Sequence, residues 1–233
     1  MGSPVPIEIL DSMAAVERLP HRDYGRAQLA LFIGRRDKGK TTAMNRYLEQ
    51  GEPRVLATDP FDDFPSLAWP FYLRGEEGEE YAKSDADAAL EDMAFWETAC
   101  RRRVKSPTGK GSRAWSQRFF ELCLPPSEHP LRNALLCLDE VTLHTGPIAS
   151  EELQELVLQG RRYRVRMIAG CQRLGLIPGI FLSEATEMVI FQIVRPRDLD
   201  VIEDWGARHG QVKGELREAV ACLGQGQCIV LAL

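Results

Sequence analysis

The chain has 233 residues and a formal net charge of −5, which fits one α/β domain of ordinary size and argues against a protein that coats nucleic acid. Its six cysteines show no C-x-x-C spacing, which argues against zinc ligands or disulfide staples and favours reduced intracellular thiols. The apolar runs are far shorter than the roughly 20 residues that cross a bilayer, and the N-terminus lacks a signal-peptide pattern.

The first predicted unit is a strand, a loop and a helix. Residues 28–33 are apolar and β-prone, and a helix predicted over 41–50 ends before Gly51. Between them, residues 34–41 match the phosphate-binding pattern G-x-x-x-x-G-K-[ST]. The alternative is a glycine-rich turn that binds nothing. We assign the following residues to nucleotide binding: Gly34, Asp37, Lys38, Gly39, Lys40, Thr41 and Thr42.

The chemistry of this loop predicts ATP and Mg²⁺ as its ligands. Glycines let successive backbone N–H groups point at a phosphate, Lys40 is expected to contact the β- and γ-phosphates, and the Thr41 hydroxyl is expected to ligate Mg²⁺. Arg35 and Arg36 make the loop more basic than this role requires, and the sequence does not explain them.

The next stretch is divided sharply by charge. Residues 54–59 are predicted to form a second strand that Pro60 ends, and a helix is predicted from Ser84 to about residue 103. Acids dominate residues 76–92, whereas residues 101–118 carry only basic charges. The glycines, proline and serines of residues 105–116 predict a loop.

The second half alternates apolar runs with helical patterns. Strands are predicted over residues 134–140, 165–172, 188–194 and 227–233. Helices are predicted over residues 151–159, 197–206 and 214–224, the first of them capped by Ser150 and ended by Gly160. Continuous apolar strands between helices predict an α/β fold with a mostly parallel sheet and helices on both faces. We predict a single domain with a core over residues 28–233 and an N-terminal extension over residues 1–27.

Polar side chains at the ends of two predicted strands are candidate catalytic groups. Asp139 is expected to hold Mg²⁺, and Glu140 to polarise an attacking water, which favours hydrolysis over nucleotide binding alone. Gln172 is expected at the same edge of the sheet, where it would contact a γ-phosphate or orient water. The alternatives are a solvated strand terminus and a plain surface amide.

Three arginines are candidates for neutralising charge in the transition state, and each of them could equally be solvated. They are Arg161, Arg162 and Arg173. Trp205 is predicted to lie in the core, and His129 and His144 are predicted to lie at the surface without a catalytic role.

The motifs together resemble the FtsK/HerA superfamily of DNA-translocating ATPases. Asp59-Pro60 resembles the Asp-Pro pair of that family, and residues 169–173 resemble its Ala-Thr-Gln-Arg run, with Gly170 and Cys171 as the departure. The matching stretches, in chain order, are FIGRRDKGKTT, VLATDPFDDF, LLCLDE, GRRYRVRMIAGCQR and FQIVRPRDLDVIEDWG.

The resemblance implies a RecA-like P-loop motor core that acts as a homo-oligomeric ring, most often a hexamer, around double-stranded DNA. Residues 101–118, with Trp115, then become a candidate pore loop, the alternative being an exposed basic face. With a short segment before the core and no appended domain, the chain resembles the genome-packaging ATPases of tailless double-stranded DNA viruses. That similarity implies capsid or membrane vertex proteins as partners and an intracellular location in the host, near the virion vertex.

Two other functions fit the same sequence. One is a plasmid-mobilisation or DNA-end-processing translocase of the same superfamily, recruited by a partner protein. The other is a nucleotide-dependent assembly or switch protein that uses the ATP site to change shape and does not move DNA.

Overall fold

The computed structural model describes residues 7–19, 29–50, 53–68, 85–96, 99–106, 108, 112–146, 148–208, 210–212 and 214–232. Within these residues the chain forms eight strands. They are β1 (Ile9–Asp11), β2 (Leu29–Ile33), β3 (Arg54–Thr58), β4 (Cys100–Val104), β5 (Ala134–Leu138), β6 (Val165–Cys171), β7 (Glu187–Phe191) and β8 (Gln227–Ala232).

The helices of the described residues connect these strands, and a short 3₁₀ turn follows β6 at Leu174–Leu176. They are α1 (Ser12–Arg18), α2 (Lys40–Glu49), α3 (Asp85–Phe95), α4 (Ser112–Cys123), α5 (Val141–His144), α6 (Glu151–Tyr163), α7 (Gly179–Glu184), α8 (Pro196–Arg208) and α9 (Glu215–Cys222).

All the described strands belong to one sheet with the order β1-β8-β7-β2-β6-β5-β3-β4. The pairs from β7 to β4 are parallel, whereas β8 is antiparallel to both β7 and β1. Ile33 pairs with Cys171, and Leu138 pairs with Ala169. This register brings the carboxyl ends of β2, β5 and β6 to the same edge of the sheet, and the predicted α/β class is confirmed.

The sheet separates two hydrophobic clusters. On one face, α3, α4, α6, α8 and α9 contribute buried residues such as Leu153, Leu156 and Trp205. On the other face, α1 contributes Val16 and α2 contributes Met44. Every residue of β2, β3, β5, β6 and β7 is buried, because helices cover both faces of these strands. Trp205 is 4% exposed, as predicted.

The helix predicted to reach residue 103 is shorter in the structure. It ends at Phe95, and residues 100–104 instead form β4, which pairs in parallel with β3 at the edge of the sheet. The burial of β4 alternates, since Cys100, Arg102 and Val104 are buried while Arg101 and Arg103 are half-buried. This two-residue period belongs to a strand. The predicted cap Ser84 lies outside the described residues.

One further prediction is corrected by the backbone. Gly160 does not end α6, which continues to Tyr163; a Cβ at Gly160 would lie 2.8 Å from the Val165 carbonyl oxygen, so the glycine permits a close approach to β6. The predicted N-terminal extension contains β1 and α1, which join the fold because β1 pairs with β8. Asp11 caps α1 by accepting hydrogen bonds from the backbone of residues 13 and 14.

The cysteine prediction is consistent with the structure, in which all six cysteines are free and all but Cys222 are buried. Among the described residues, no helix is long and apolar enough to span a membrane.

Arg54 joins the end of α3 to the start of β3. Its guanidinium donates to the carbonyl oxygens of Met93 (2.7 Å), Trp96 and Asn133 (3.1 Å), and the side chain is buried. A cation at the C-terminal end of a helix also satisfies carbonyl groups that have no partner within the helix.

We expect Arg54→Met to lower the free energy of unfolding by about 3 kcal/mol, because buried carbonyl groups lose a charged donor. The control Arg46→Met removes only an exposed ion pair with Glu49 and should cost about 0.3 kcal/mol. Urea unfolding followed by circular dichroism measures both variants. Equal losses would contradict the capping role of Arg54.

Candidate functional site

The phosphate-binding pattern forms a loop between β2 and α2, as predicted. Lys40 is the first residue of α2, and Gly39 before it has φ of 106°, in the left-handed region that favours glycine. Three backbone hydrogen bonds fix the loop to neighbouring segments: Gly34 N–H to the Cys171 carbonyl (3.1 Å), Arg35 N–H to the Gln192 carbonyl (3.2 Å), and Gly226 N–H to the Lys38 carbonyl (3.2 Å).

Phe191, the last residue of β7, lies directly under this loop. A Cβ at Gly34 would lie 2.6 Å from the Phe191 Cβ, and one at Gly39 would lie 3.2 Å from its Cε1. Packing therefore requires glycine at position 34, and both packing and backbone conformation favour it at position 39. The pattern alone predicts the glycines but not the aromatic ring below them.

Lys40 is buried between the two candidate carboxylates. Its Nζ lies 3.6 Å from Asp139 Oδ1 and 3.8 Å from Glu140 Oε2. All three side chains are at most 9% exposed. The sequence prediction that the loop and the end of β5 meet at one site is therefore supported by the geometry.

Burial raises the pKa of Asp139 to about 6, against the opposing effect of the Lys40 ammonium, and the neighbouring Glu140 carboxylate adds to the rise. A carboxyl group with this pKa is still mainly ionised at neutral pH. The space around it depends on Gly170 of β6, where a Cβ would lie 3.3 Å from Asp139 Oδ1, 3.2 Å from Lys40 Nζ and 2.9 Å from Met44 Sδ.

Glu140 is positioned by the end of β6 and by its own turn. Its Oε2 accepts from Gln172 Nε2 (2.8 Å), and its Oε1 accepts from the Gln172 backbone N–H (3.2 Å) and the Thr142 hydroxyl (3.2 Å). Glu140 has φ of 48°, which turns the chain sharply from β5 into α5. Gln172 thus lies beside the site, and its amide contacts the carboxylate.

The donors present fit a hydrated Mg²⁺. Asp139 Oδ1 is buried and has no hydrogen-bond partner, so this oxygen is available to a ligand. Thr41 lies half-buried at the start of α2, and Thr42 is exposed. In the part of the chain that the structure describes, no group of three or more His, Cys, Asp or Glu side chains is arranged so that it could hold a metal ion. A site with one or two protein ligands suits Mg²⁺, which retains several waters and binds phosphates.

The segment after β3 adds acidic residues that the sequence analysis did not assign to the site. The buried Asp59 accepts from the backbone N–H groups of Asp63 (2.7 Å) and Phe64 (3.2 Å). The pKa of Asp63 is raised by burial and by Asp59, whereas Lys40 and Arg36 lower it. Asp63 lies beside α2, because its carbonyl oxygen accepts from Asn45 Nδ2 (2.7 Å). Only the Asp59-Pro60 pair signalled this contribution in the sequence.

Three arginines of the candidate pore loop are bound within the protein. Arg103 contacts Asp59 (2.8 Å) and Arg102 contacts Asp92 (2.7 Å), while Arg101 donates to the Leu48 carbonyl (2.7 Å). These residues form β4, and the predicted loop is already helical from Ser112 onward, so residues 101–103 belong to a strand and not to a loop. Lys110 lies outside the described residues.

The candidate arginines divide between the two edges of the sheet. Arg161 and Arg162 are exposed at the end of α6, where the neighbouring Tyr163 carbonyl accepts from Asn133 N–H (3.1 Å) at the start of β5. That is the edge opposite to the phosphate-binding loop. Arg173 is exposed and directly follows Gln172, so it lies at the same edge as the loop.

His144 is buried, which corrects its predicted surface position. Its Nε2 lies 3.0 Å from Thr58 Oγ1 and 3.2 Å from the Asp139 carbonyl oxygen, and its Nδ1 lies 2.9 Å from Ser116 Oγ. Burial lowers its pKa to about 4, although the hydrogen bond to Asp139 opposes this, so the ring is neutral at pH 7. His129 is only partly exposed.

The sequence matches no protein-family model and no curated protein. Among solved structures, the genome packaging NTPase B204 of Sulfolobus turreted icosahedral virus 2, in complex with ATP-gammaS, is similar with a TM-score of 0.62 and 14% identity, over 88% of this chain and 92% of that chain. The DNA-packaging ATPase B204 of Sulfolobus turreted icosahedral virus has a TM-score of 0.57 and 14% identity, over 86% and 90%. VirB4 of Thermoanaerobacter pseudethanolicus has a TM-score of 0.55 and 10% identity, over 88% and 89%. The chain therefore has the fold of these proteins, a P-loop NTPase fold.

Proposed function

We propose that this protein is a Mg²⁺-dependent ATPase. The observation that carries the proposal is the convergence of Lys40, Asp139 and Glu140 at the phosphate-binding loop, with Gln172 bonded to Glu140. A loop that only bound a nucleotide would not need a second carboxylate beside the first. The complex of B204 with ATP-gammaS supports ATP as the nucleotide.

Each of these residues has a role that follows from its position. Lys40 and the backbone N–H groups at the start of α2 bind the phosphates, while Thr41 and Asp139 hold Mg²⁺. Mg²⁺ would supply positive charge that stabilises the phosphoryl group during transfer. Glu140 accepts a proton from the attacking water, and Gln172 orients the carboxylate of Glu140 through its amide.

We expect Gly170→Ala to weaken ATP binding at least about tenfold, because the added Cβ would displace Lys40 and Asp139 from their contact. Gly179→Ala is the matched control, since a Cβ at Gly179 meets no atom within 4 Å. Titration with a fluorescent ATP analogue measures both variants. Wild-type affinity in Gly170→Ala would contradict the site geometry described above.

We expect Glu140→Gln to bind ATP with unchanged affinity and to reduce kcat at least about 100-fold, because the amide cannot accept the proton of water. The control is Glu184→Gln, which changes an exposed carboxylate on α7. Steady-state ATP hydrolysis and direct binding measurements separate the two effects. Retained turnover would remove Glu140 from the reaction.

We propose further that hydrolysis drives movement along double-stranded DNA, as in genome packaging. The support is the fold shared with B204, which is named a genome packaging NTPase and a DNA-packaging ATPase, over most of both chains. Linear duplex DNA should stimulate ATP hydrolysis, and the protein should displace a triplex-forming oligonucleotide from that duplex. Polyglutamate, a polyanion without bases or sugars, is the control. Hydrolysis that no DNA stimulates would favour an ATP-dependent switch protein.

Among the three candidate arginines, we propose that Arg173 neutralises transition-state charge, acting on the site of a neighbouring subunit in a ring. Its exposure at the edge of the sheet that carries the site supports this choice, whereas Arg161 and Arg162 lie at the opposite edge. Arg173→Ala should lower kcat at least about 100-fold with little change in ATP affinity.

Mixing two inactive variants tests whether Arg173 acts between subunits. Arg173→Ala retains Lys40, and Lys40→Ala retains Arg173, so a mixed ring contains some interfaces that carry both intact side chains. Recovery of hydrolysis on mixing is expected. If the mixture stays inactive while Arg173→Ala alone is impaired, Arg173 acts within its own subunit.

A further inference from the structure

His144 connects three elements that meet behind the proposed ATP site. It is the last residue of α5, and its ring folds back to the Asp139 carbonyl, while Thr58 belongs to the end of β3 and Ser116 to the first half of α4. His144, Thr58 and Ser116 are each at most 5% exposed. Because these groups are buried, each hydrogen bond depends on the others.

The protons of this cluster can be placed in two ways. A neutral imidazole has one N–H and one lone pair, and a hydroxyl has one O–H. The Ser116 hydroxyl lies 2.8 Å from the Ser112 carbonyl oxygen and 2.9 Å from His144 Nδ1. The Asp139 carbonyl, 3.2 Å from Nε2, can only accept. The ring N–H and the Ser116 O–H are therefore shared among three contacts. These join Nε2 to the Asp139 carbonyl, Nδ1 to Ser116 Oγ, and Ser116 Oγ to the Ser112 carbonyl.

Two arrangements follow from this count. With the proton on Nε2, His144 donates to the Asp139 carbonyl and Ser116 donates to Nδ1, so the Ser112 carbonyl keeps only its backbone partner within α4. With the proton on Nδ1, His144 donates to Ser116, which donates to the Ser112 carbonyl, and Asp139 loses its donor. The Thr58 hydroxyl fits both arrangements, because it can accept from Nε2 or donate to it. The ring stays neutral in both.

We propose that His144 is a positioning residue that couples the first turn of α4 to the turn carrying Asp139 and Glu140. The proton on Nε2 fixes the turn in the geometry for hydrolysis, and the proton on Nδ1 fixes the start of α4 instead. The exposed Arg113 lies in that first turn of α4, with its guanidinium against Gly146 just beyond α5. A polyanion that engages Arg113 would pull on the Ser112 end of the cluster. This inference rests on the proposed ATP site.

Two amide substitutions separate the two arrangements. In His144→Gln the amide lies where Nε2 lies and can donate to the Asp139 carbonyl. In His144→Asn it lies where Nδ1 lies and can contact only Ser116. We expect His144→Asn to lower kcat about tenfold and His144→Gln to retain most of it, both with wild-type ATP affinity. Equal kcat values in the two variants would overturn the proposal.

Ser116→Ala gives a change in the opposite direction. Without the hydroxyl, Nδ1 has no acceptor for a proton, so the Nε2–H form is favoured and the turn stays fixed. We expect basal kcat to rise and its response to duplex DNA to disappear. Trp205→Phe, which removes a hydrogen bond from a buried side chain to the Leu182 carbonyl (2.9 Å), is the control for lost stability and should leave both quantities unchanged.

Nitrogen NMR of the histidine ring tests the proposal without measuring activity. The chain has four histidines, and the signal of His144 is the one that disappears in His144→Gln. Adding a non-hydrolysable ATP analogue should shift the tautomer population toward Nε2–H. The same tautomer with and without the analogue would overturn the coupling. A wild-type protein that binds the analogue but does not hydrolyse ATP would overturn the proposed ATPase function instead.

Discussion

The burial of two carboxylates beside one ammonium group is the constraint on which the site depends. Asp139 and Glu140 both lie within 3.8 Å of Lys40, away from water. Burial raises the pKa of Asp139, and the single ammonium group of Lys40 does not offset this rise, to which the neighbouring Glu140 carboxylate adds. Such a cluster is unfavourable for folding alone. This cost supports the proposed binding of a magnesium nucleotide, for which the sheet register and Gly170 leave space.

The basic segment at the edge of the sheet is likewise bonded to groups within the protein. Arg101, Arg102 and Arg103 look available for an external polyanion when the sequence is considered alone. In the fold they support β4 and the Asp59 segment, and Asp59 in turn organises the backbone that brings Asp63 toward the phosphate-binding loop. Exposed cations remain elsewhere, among them Arg35 and Arg36 of the phosphate-binding loop, Arg173 after β6 and Arg113 in α4.

The local sequence pattern was sufficient to predict those features that depend on residues close together in the chain. The phosphate-binding loop, the apolar strands, the Ser150 cap and the convergence of Asp139, Glu140 and Gln172 at one edge were all predicted. Errors arose where distant residues compete with local preference. Gly160 remains helical because β6 packs against it, and the arginines after α3 enter a strand because β3 offers them a partner. His144 was placed at the surface, since nothing in its neighbourhood indicates the buried hydroxyls of Thr58 and Ser116.

The sequence by itself determined the fold class, the loop that cradles phosphate and the chemical identity of the groups at the strand ends. These features rest on periodicity, on glycine conformation and on motif spacing, all of which act within short stretches of chain. Three features became evident only in the three-dimensional structure. They are the carboxylate oxygen that lacks a hydrogen-bond partner, the arginines that are already bonded, and the packing of Phe191 and Gly170 around the site. The physical reason is that burial and hydrogen-bond satisfaction depend on residues far apart in sequence, whose meeting the strand order and register establish.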